Sequence, residues 1–127
     1  ATGDAPEYLR RFRLYAMARS ERQQDEALAL ARQLYADDEK RTPTLNCVLF
    51  SLECRADPNG SVPEKIAEIF DGNERAYRSL TNFYLNNREG FSLDGVVEGL
   101  IWLENRLEIS DEMSIFSGDE PFDRSSD

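Results

Sequence analysis

Apolar residues return at three- and four-residue steps along most of this chain, and strict apolar/polar alternation is missing. That period commits the chain to helices. Positions i, i+3, i+4 and i+7 share one face of an α-helix, whereas a strand repeats every second residue. Alternating β-branched runs, the usual sign of a strand, are also missing.

Punctuation cuts the periodic stretches into six segments. A first helix is expected from Pro6, a favoured first-turn residue. Its apolar face reads as Tyr8, Leu9, Phe12, Tyr15 and Ala16, with Arg10, Arg11, Arg13 and Arg19 over much of the remainder. Ser20, followed by Gln23, resembles a capping box and opens a second helix carrying Ala27, Leu30, Ala31 and Leu34. That helix runs out at Asp37-Asp38-Glu39. Thr42 before Pro43 opens a third, with Leu45, Val48, Leu49 and Leu52 as its stripe. Asp57-Pro58-Asn59-Gly60 is a turn. Ser61, Pro63 and Glu64 then cap a short fourth helix bearing Ile66, Ile69 and Phe70, which breaks at Asp71-Gly72-Asn73. A fifth, with Tyr77, Leu80, Phe83 and Tyr84 on one side, is expected to end at Asn86, Asn87 and Gly90. Ser92 caps the sixth, which continues to about Glu108.

Helices joined this closely usually pack antiparallel. The expected fold is all-α: a compact bundle of about six short helices with an irregular acidic C-terminal tail. The alternative is a short helical-hairpin solenoid, against which the lack of an internal repeat argues. Residues 1–109 read as a single helical domain and 110–127 as the tail.

Charge narrows the partners. The 127 residues carry a net charge of −10, unevenly placed. Residues 1–55 hold nine acids against nine Lys/Arg, while residues 56–127 hold sixteen acids against six. Such a field repels nucleic-acid phosphates and attracts basic proteins. The arginines of the first helix are the one feature pointing the other way, and the overall charge outweighs them. No apolar run approaches the roughly 20 residues that a bilayer-spanning helix requires, so no membrane span is expected. No signal peptide is visible, and Ala1 in place of a Met is compatible with a removed leader or tag.

Histidine is absent. That excludes His-based triads, Cys-His pairs and the usual zinc sites. Cys47 and Cys54 stand seven apart, about 10.5 Å within one helix, too far for a disulfide between them, which needs about 4.4 to 6.8 Å. Their apolar setting and the lack of an activating base predict inert, reduced thiols, hence a cytoplasmic protein. Asp71-Gly72-Asn73 lacks the remaining ligands of a calcium loop, and no phosphate-binding glycine loop is present. No carboxylate is singled out for acid/base work. Neither a catalytic residue, a cofactor nor a metal is expected.

The sixth helix is the most informative stretch. At about 100° per residue, Leu93, Val96, Leu100, Leu103 and Leu107 fall on one face. Asp94, Glu98, Glu104, Glu108, Asp111 and Glu112 occupy the neighbouring sector if the helix runs that far. Trp102 lies on the far side beside Gly95 and Gly99, whose spacing lets another backbone approach, either inside the bundle or from a partner. Acids near a helix C-terminus oppose its macrodipole by about 0.3–1 kcal/mol each, and Glu104 and Glu108 repel at i, i+4. They either keep a solvated face soluble or serve a partner. The tail repeats the theme, with Asp119, Glu120 and Asp123 around Phe116 and Phe122, a composition able to fold onto a basic, grooved partner. The expected partner-binding set is therefore Asp94, Glu98, Trp102, Glu104, Glu108, Asp111, Glu112, Phe116, Asp119, Glu120, Phe122 and Asp123.

The expected function is a non-enzymatic protein-binding protein that neutralises or escorts a basic partner. Immunity proteins, inhibitors and secretion chaperones are examples of the class, by analogy from size, acidity and helicity alone. One alternative is a structural or oligomerisation module, for instance a homodimer in which the basic first helix meets the acidic end of a second copy. The other is a helical enzyme using carboxylates alone.

Overall fold

The computed structural model describes residues 7–88, 91 and 93–116. Six helices follow one another: α1 (Glu7–Ala18), α2 (Gln24–Tyr35), α3 (Pro43–Ala56), α4 (Val62–Ile69), α5 (Asn73–Asn86) and α6 (Asp94–Arg106). Among the described residues there is no strand. The helices form a bundle. The expected start and stop signals at Pro6, Gly90 and Ser92 lie outside the described residues.

Local chemistry sets most of the helix starts. The Thr42 hydroxyl accepts from the Leu45 N–H at 3.1 Å, with Pro43 in the first turn of α3. Ser61 does the same for the Glu64 N–H at the start of α4, again with a proline behind it. Both place a side-chain acceptor on a donor that has no intrahelical partner. Ser20 caps too, but its hydroxyl takes the Arg22 N–H and opens a single 3-10 turn, Glu21–Gln23, that runs directly into α2. The next residue, Gln24, donates to the Ala18 and Ser20 carbonyls and so closes the end of α1. The C-terminal end of α2 is held by Arg41, which donates to the Tyr35 carbonyl at 2.7 Å and stacks over the Tyr35 ring.

Helix α3 is the hub. It packs against all five other helices. Leu45, Cys47, Val48, Leu49, Phe50, Ser51, Leu52 and Cys54 are all buried, so its apolar residues wrap round the helix rather than forming one stripe. A helix apolar on every side belongs in the centre. Around it lie Leu34 of α2, Ile66 of α4, Leu80 of α5 and Val96, Leu100 and Leu103 of α6, each nearly or fully shielded from solvent. A bidentate Arg32–Glu53 pair, both bonds 2.8 Å, ties the outer edge of α2 to α3.

Helix α1 is rotated away from the expected face, of which only Tyr15 packs against the core. Leu14, Met17 and Ala18 face the core, while Tyr8 and Phe12 are 70% and 72% exposed. At about 100° per residue the two faces stand on opposite sides of the helix. Both satisfy the helical spacing, so period alone could not choose between them. Arg11 is part of what sets the rotation, donating to the Lys40 carbonyl and the Thr42 hydroxyl.

The glycines of α6 face inward. A Cβ at Gly95 would stand 2.5 Å from the Cys54 Cβ, and one at Gly99 would stand 3.1 Å from the Phe50 ring. Their spacing serves close packing of α6 on α3. Helix α6 stops at Arg106 in a Schellman motif. The Ile109 N–H reaches the Glu104 carbonyl at 2.8 Å and the Glu108 N–H the Asn105 carbonyl at 3.3 Å. Glu108 takes the left-handed position, φ 58°, that glycine usually fills.

The start of the expected tail does not hang free. Ser110 caps one further turn through the Met113 N–H. Beyond it, Phe116 packs edge-on against Tyr84 of α5, ring centroids 5.6 Å apart. Residues 110–116 are irregular yet docked on the bundle, so the packed unit reaches past the expected boundary at 109. The contacts of this segment are with α5 and α6.

Candidate functional site

The acids of α6 sort into three groups once the helix is placed. Asp94 and Glu98 are exposed and lie one turn apart. With Ile101, Trp102 and Asn105 they fall within a sector of about 100°, the outward side of α6. Ile101 is 49% exposed and Trp102 half-buried, with the Arg106 guanidinium 5.9 Å from its ring. Trp102 therefore joins the acidic side rather than standing apart from it.

Glu104 belongs to the interior. It is 9% exposed and accepts three hydrogen bonds. The Tyr77 hydroxyl donates to Oε2 at 2.8 Å, the Ser114 hydroxyl to Oε1 at 2.6 Å and the Ile115 N–H to Oε2 at 3.1 Å. A carboxylate so enclosed has no face to offer a partner. The expected surface role for Glu104 is replaced by a structural one: it fastens the 110–116 segment to α5 and α6. Glu108 lies beyond the helix end, so the expected i, i+4 pair with Glu104 is not formed on α6. Burial and the bond to Glu104 push the Tyr77 hydroxyl up to about 12.

Glu108, Asp111 and Glu112 are exposed at the far end of α6. Fourteen residues separate Asp94 from Glu108, about 20 Å along a helix. The expected acidic surface thus splits between the two ends of α6. Phe116 packs inward on Tyr84, which removes it as a free anchor. Asp119, Glu120, Phe122 and Asp123 lie outside the described residues.

At the N-terminal end, Asp94 and Glu98 border a cleft of about 700 Å³. The end of α1, the end of α3 and the loop before α4 form its other walls. Four carboxylates line it, Glu21, Asp57, Asp94 and Glu98, against the two guanidiniums of Arg19 and Arg55. Asp57 pairs with Lys65 at 3.2 Å. Asp94, Glu98 and Glu21 have no ion pair among the described residues, while Arg19 is spent over the Phe91 ring.

Cys54 sits on the floor of this cleft and registers its field. Burial pushes the thiol up to about 11, and the carboxylates of Glu98, Glu53 and Asp57 push the same way against Lys65. Cys47 is displaced upward by burial alone. Both thiols are free and protonated at neutral pH, the state of an inert core cysteine rather than a nucleophile. No group of three or more metal-ligating side chains occurs among the described residues. No helix among them is long and apolar enough to cross a membrane.

Sequence reasoning found Asp94 and Glu98 but missed Glu21, Asp57, Arg19, Arg55 and the Cys54 floor. These come from separate segments between residues 19 and 60, and no local spacing links them to α6. The opposite omission was Ile101, whose place beside Trp102 was legible in the helical period. Comparison with protein-family models, curated proteins and solved structures finds no match for this chain.

Proposed function

We propose that this chain is a non-enzymatic protein-binding protein that neutralises or escorts a basic partner. The cleft beside the N-terminal half of α6 is its docking site, and the immunity-protein, inhibitor or secretion-chaperone type is the class. One observation carries the reading: Asp94 and Glu98 stand exposed at a cleft where four carboxylates face two arginines, and neither has an ion pair among the described residues. A lysine or arginine of the partner entering there gains charge-assisted bonds. Trp102 and Ile101, one turn further on, supply the apolar contact that gives such a surface its residence time. Two buried free thiols suit a reducing compartment such as the cytoplasm.

Trp102 is the only tryptophan and sits beside the site, so its fluorescence reports binding. Titration with an arginine-rich peptide at low salt is expected to saturate and to weaken steeply as salt rises. The Asp94→Asn/Glu98→Gln variant is expected to bind about 2–30-fold less tightly, from two exposed charge pairs at about 0.2–1 kcal/mol each. The Glu108→Gln/Asp111→Asn/Glu112→Gln variant is expected to bind nearly as wild type. Equal affinity in the first variant, or binding indifferent to salt, sinks the proposal.

A second reading has its own support. Tyr8, Leu9 and Phe12 stay exposed on α1, with Arg13 beside them. An apolar patch of that kind is a common interface mark. An oligomerisation module would set this basic, aromatic face against the acidic side of α6 in a second copy. Sedimentation at high protein concentration decides it: a strict monomer ends this reading and leaves the first untouched.

A further inference from the structure

A second groove, of about 500 Å³, lies between the first turn of α3 and helix α5 and shares no residue with the acidic cleft. Helix α5 lines it with Arg75, Ser79, Asn82 and Asn86, which follow at steps of four, three and four and so form one stripe. Arg78 stands alongside, and Thr44 of α3 faces them. Cys47 and Phe83, both buried, contribute to the floor.

The lining contains no Asp or Glu. Four other grooves among the described residues are each bordered by carboxylates, as expected for a chain with 25 acids and 15 Lys/Arg. A wall of guanidiniums, amides and hydroxyls without a carboxylate sets this groove apart from those four. Arg75 has only a loose pair with Asp71, 3.8 Å, and both side chains are well exposed. Arg78 has no ion pair among the described residues. Thr44 lines the same groove and precedes the first intrahelical bond of α3, from the Asn46 N–H to the Thr42 carbonyl, so its own N–H has no intrahelical partner.

We propose that this groove binds a small organic oxyanion, a carboxylate or a phosphate. Arg75 and Arg78 meet its charged oxygens, and Asn82 and Asn86 meet the neighbouring hydroxyl or amide groups of the same ligand. Guanidinium forks suit both oxyanions. The asparagine amides each offer a donor and an acceptor, which a bare inorganic ion uses only in part.

The test is an amide-resolved NMR titration of the whole chain in three arms: glycerol 3-phosphate, malate, and sodium chloride at matched ionic strength. Saturating shifts are expected at the Thr44 N–H and the side-chain amides of Asn82 and Asn86 in the glycerol 3-phosphate arm, the malate arm or both, and not with chloride. The arm that saturates identifies the headgroup. The Arg75→Ala/Arg78→Ala variant is expected to weaken that binding about 2–30-fold, whereas Arg22→Ala on the 3-10 turn leaves it unchanged. Spectra outside the groove verify that the double variant keeps its fold. Shifts that never saturate in either arm, that chloride reproduces, or that persist at equal strength in the double variant overturn the proposal.

Discussion

Replacing Glu104 by alanine should cost this bundle more than any exposed acid on α6, because its carboxylate joins three parts of the chain. It holds the Tyr77 hydroxyl of α5, the Ser114 hydroxyl and the Ile115 N–H, at 2.8, 2.6 and 3.1 Å. A hydrogen bond to a charged acceptor contributes about 1.5–3 kcal/mol. Two effects offset that gross sum. Burying a carboxylate costs several kcal/mol, and Ser114 and Ile115 regain water once their segment lifts away. A net loss of about 2–4 kcal/mol is expected, well above the change of about 0.5 kcal/mol or less typical of surface positions. Glu104→Gln keeps an oxygen for Tyr77 and Ile115 and an amide that can donate to Ser114. It loses only charge assistance, about 1–2 kcal/mol. Urea denaturation gives both values. Hydrogen exchange adds a local readout: in Glu104→Ala the Ile115 amide should lose its protection, while Leu100 in the core loses only what the global change dictates. A change within 0.5 kcal/mol of wild type, or an Ile115 amide as protected as before, would refute the assignment of Glu104 as the fastener of this segment.

The two faces of α1 give an independent check: Leu14→Ala, at a fully buried position, should cost about 2–5 kcal/mol, and Phe12→Ala, 72% exposed, about 0.5 kcal/mol or less, both read by urea denaturation. Glu108→Gly should stabilise the chain by about 1 kcal/mol, seen as a higher thermal midpoint, because φ 58° costs a residue with a Cβ what glycine does not pay. Stability should also fall in alkali. Cys54 and Tyr77 hold their protons to about 11 and about 12 in the fold, above ordinary values of 9.0 and 10.0. The unfolded chain releases those protons first, so the stabilisation is complete below about pH 9 and is lost as pH rises through 11 and 12. Tyr77→Phe should flatten the upper part of that decline in a series of denaturation curves taken from pH 8 to 12.

Helix boundaries were written locally. Thr42 and Ser61 each bond a backbone donor three residues ahead, so the start of α3 and of α4 needs no knowledge of the rest of the chain. The same holds for the turn that Ser110 caps. The candidate cleft was only half legible. Asp94 and Glu98 declared themselves by helical spacing on one element. Glu21, Asp57 and Cys54 join them only because α1, α3 and α6 converge at that end of the bundle. The donor-lined groove behaves likewise: the stripe on α5 is readable from its spacing, and its meeting with Thr44 is not.

Periodicity, capping chemistry and charge are properties of neighbours along the chain, so the all-helical character, the segment breaks and the acidic bias needed nothing beyond the order of residues. Which of two apolar faces turns inward is a property of neighbours in space. Tyr8 and Phe12 on one side of α1 and Leu14 and Met17 on the other are equally good candidates by spacing, and only packing against α2 and α3 chooses. Glu104 makes the same point for charge. Its burial among Tyr77, Ser114 and Ile115 follows from three segments coming together, an arrangement that leaves no trace in the spacing of carboxylates along α6.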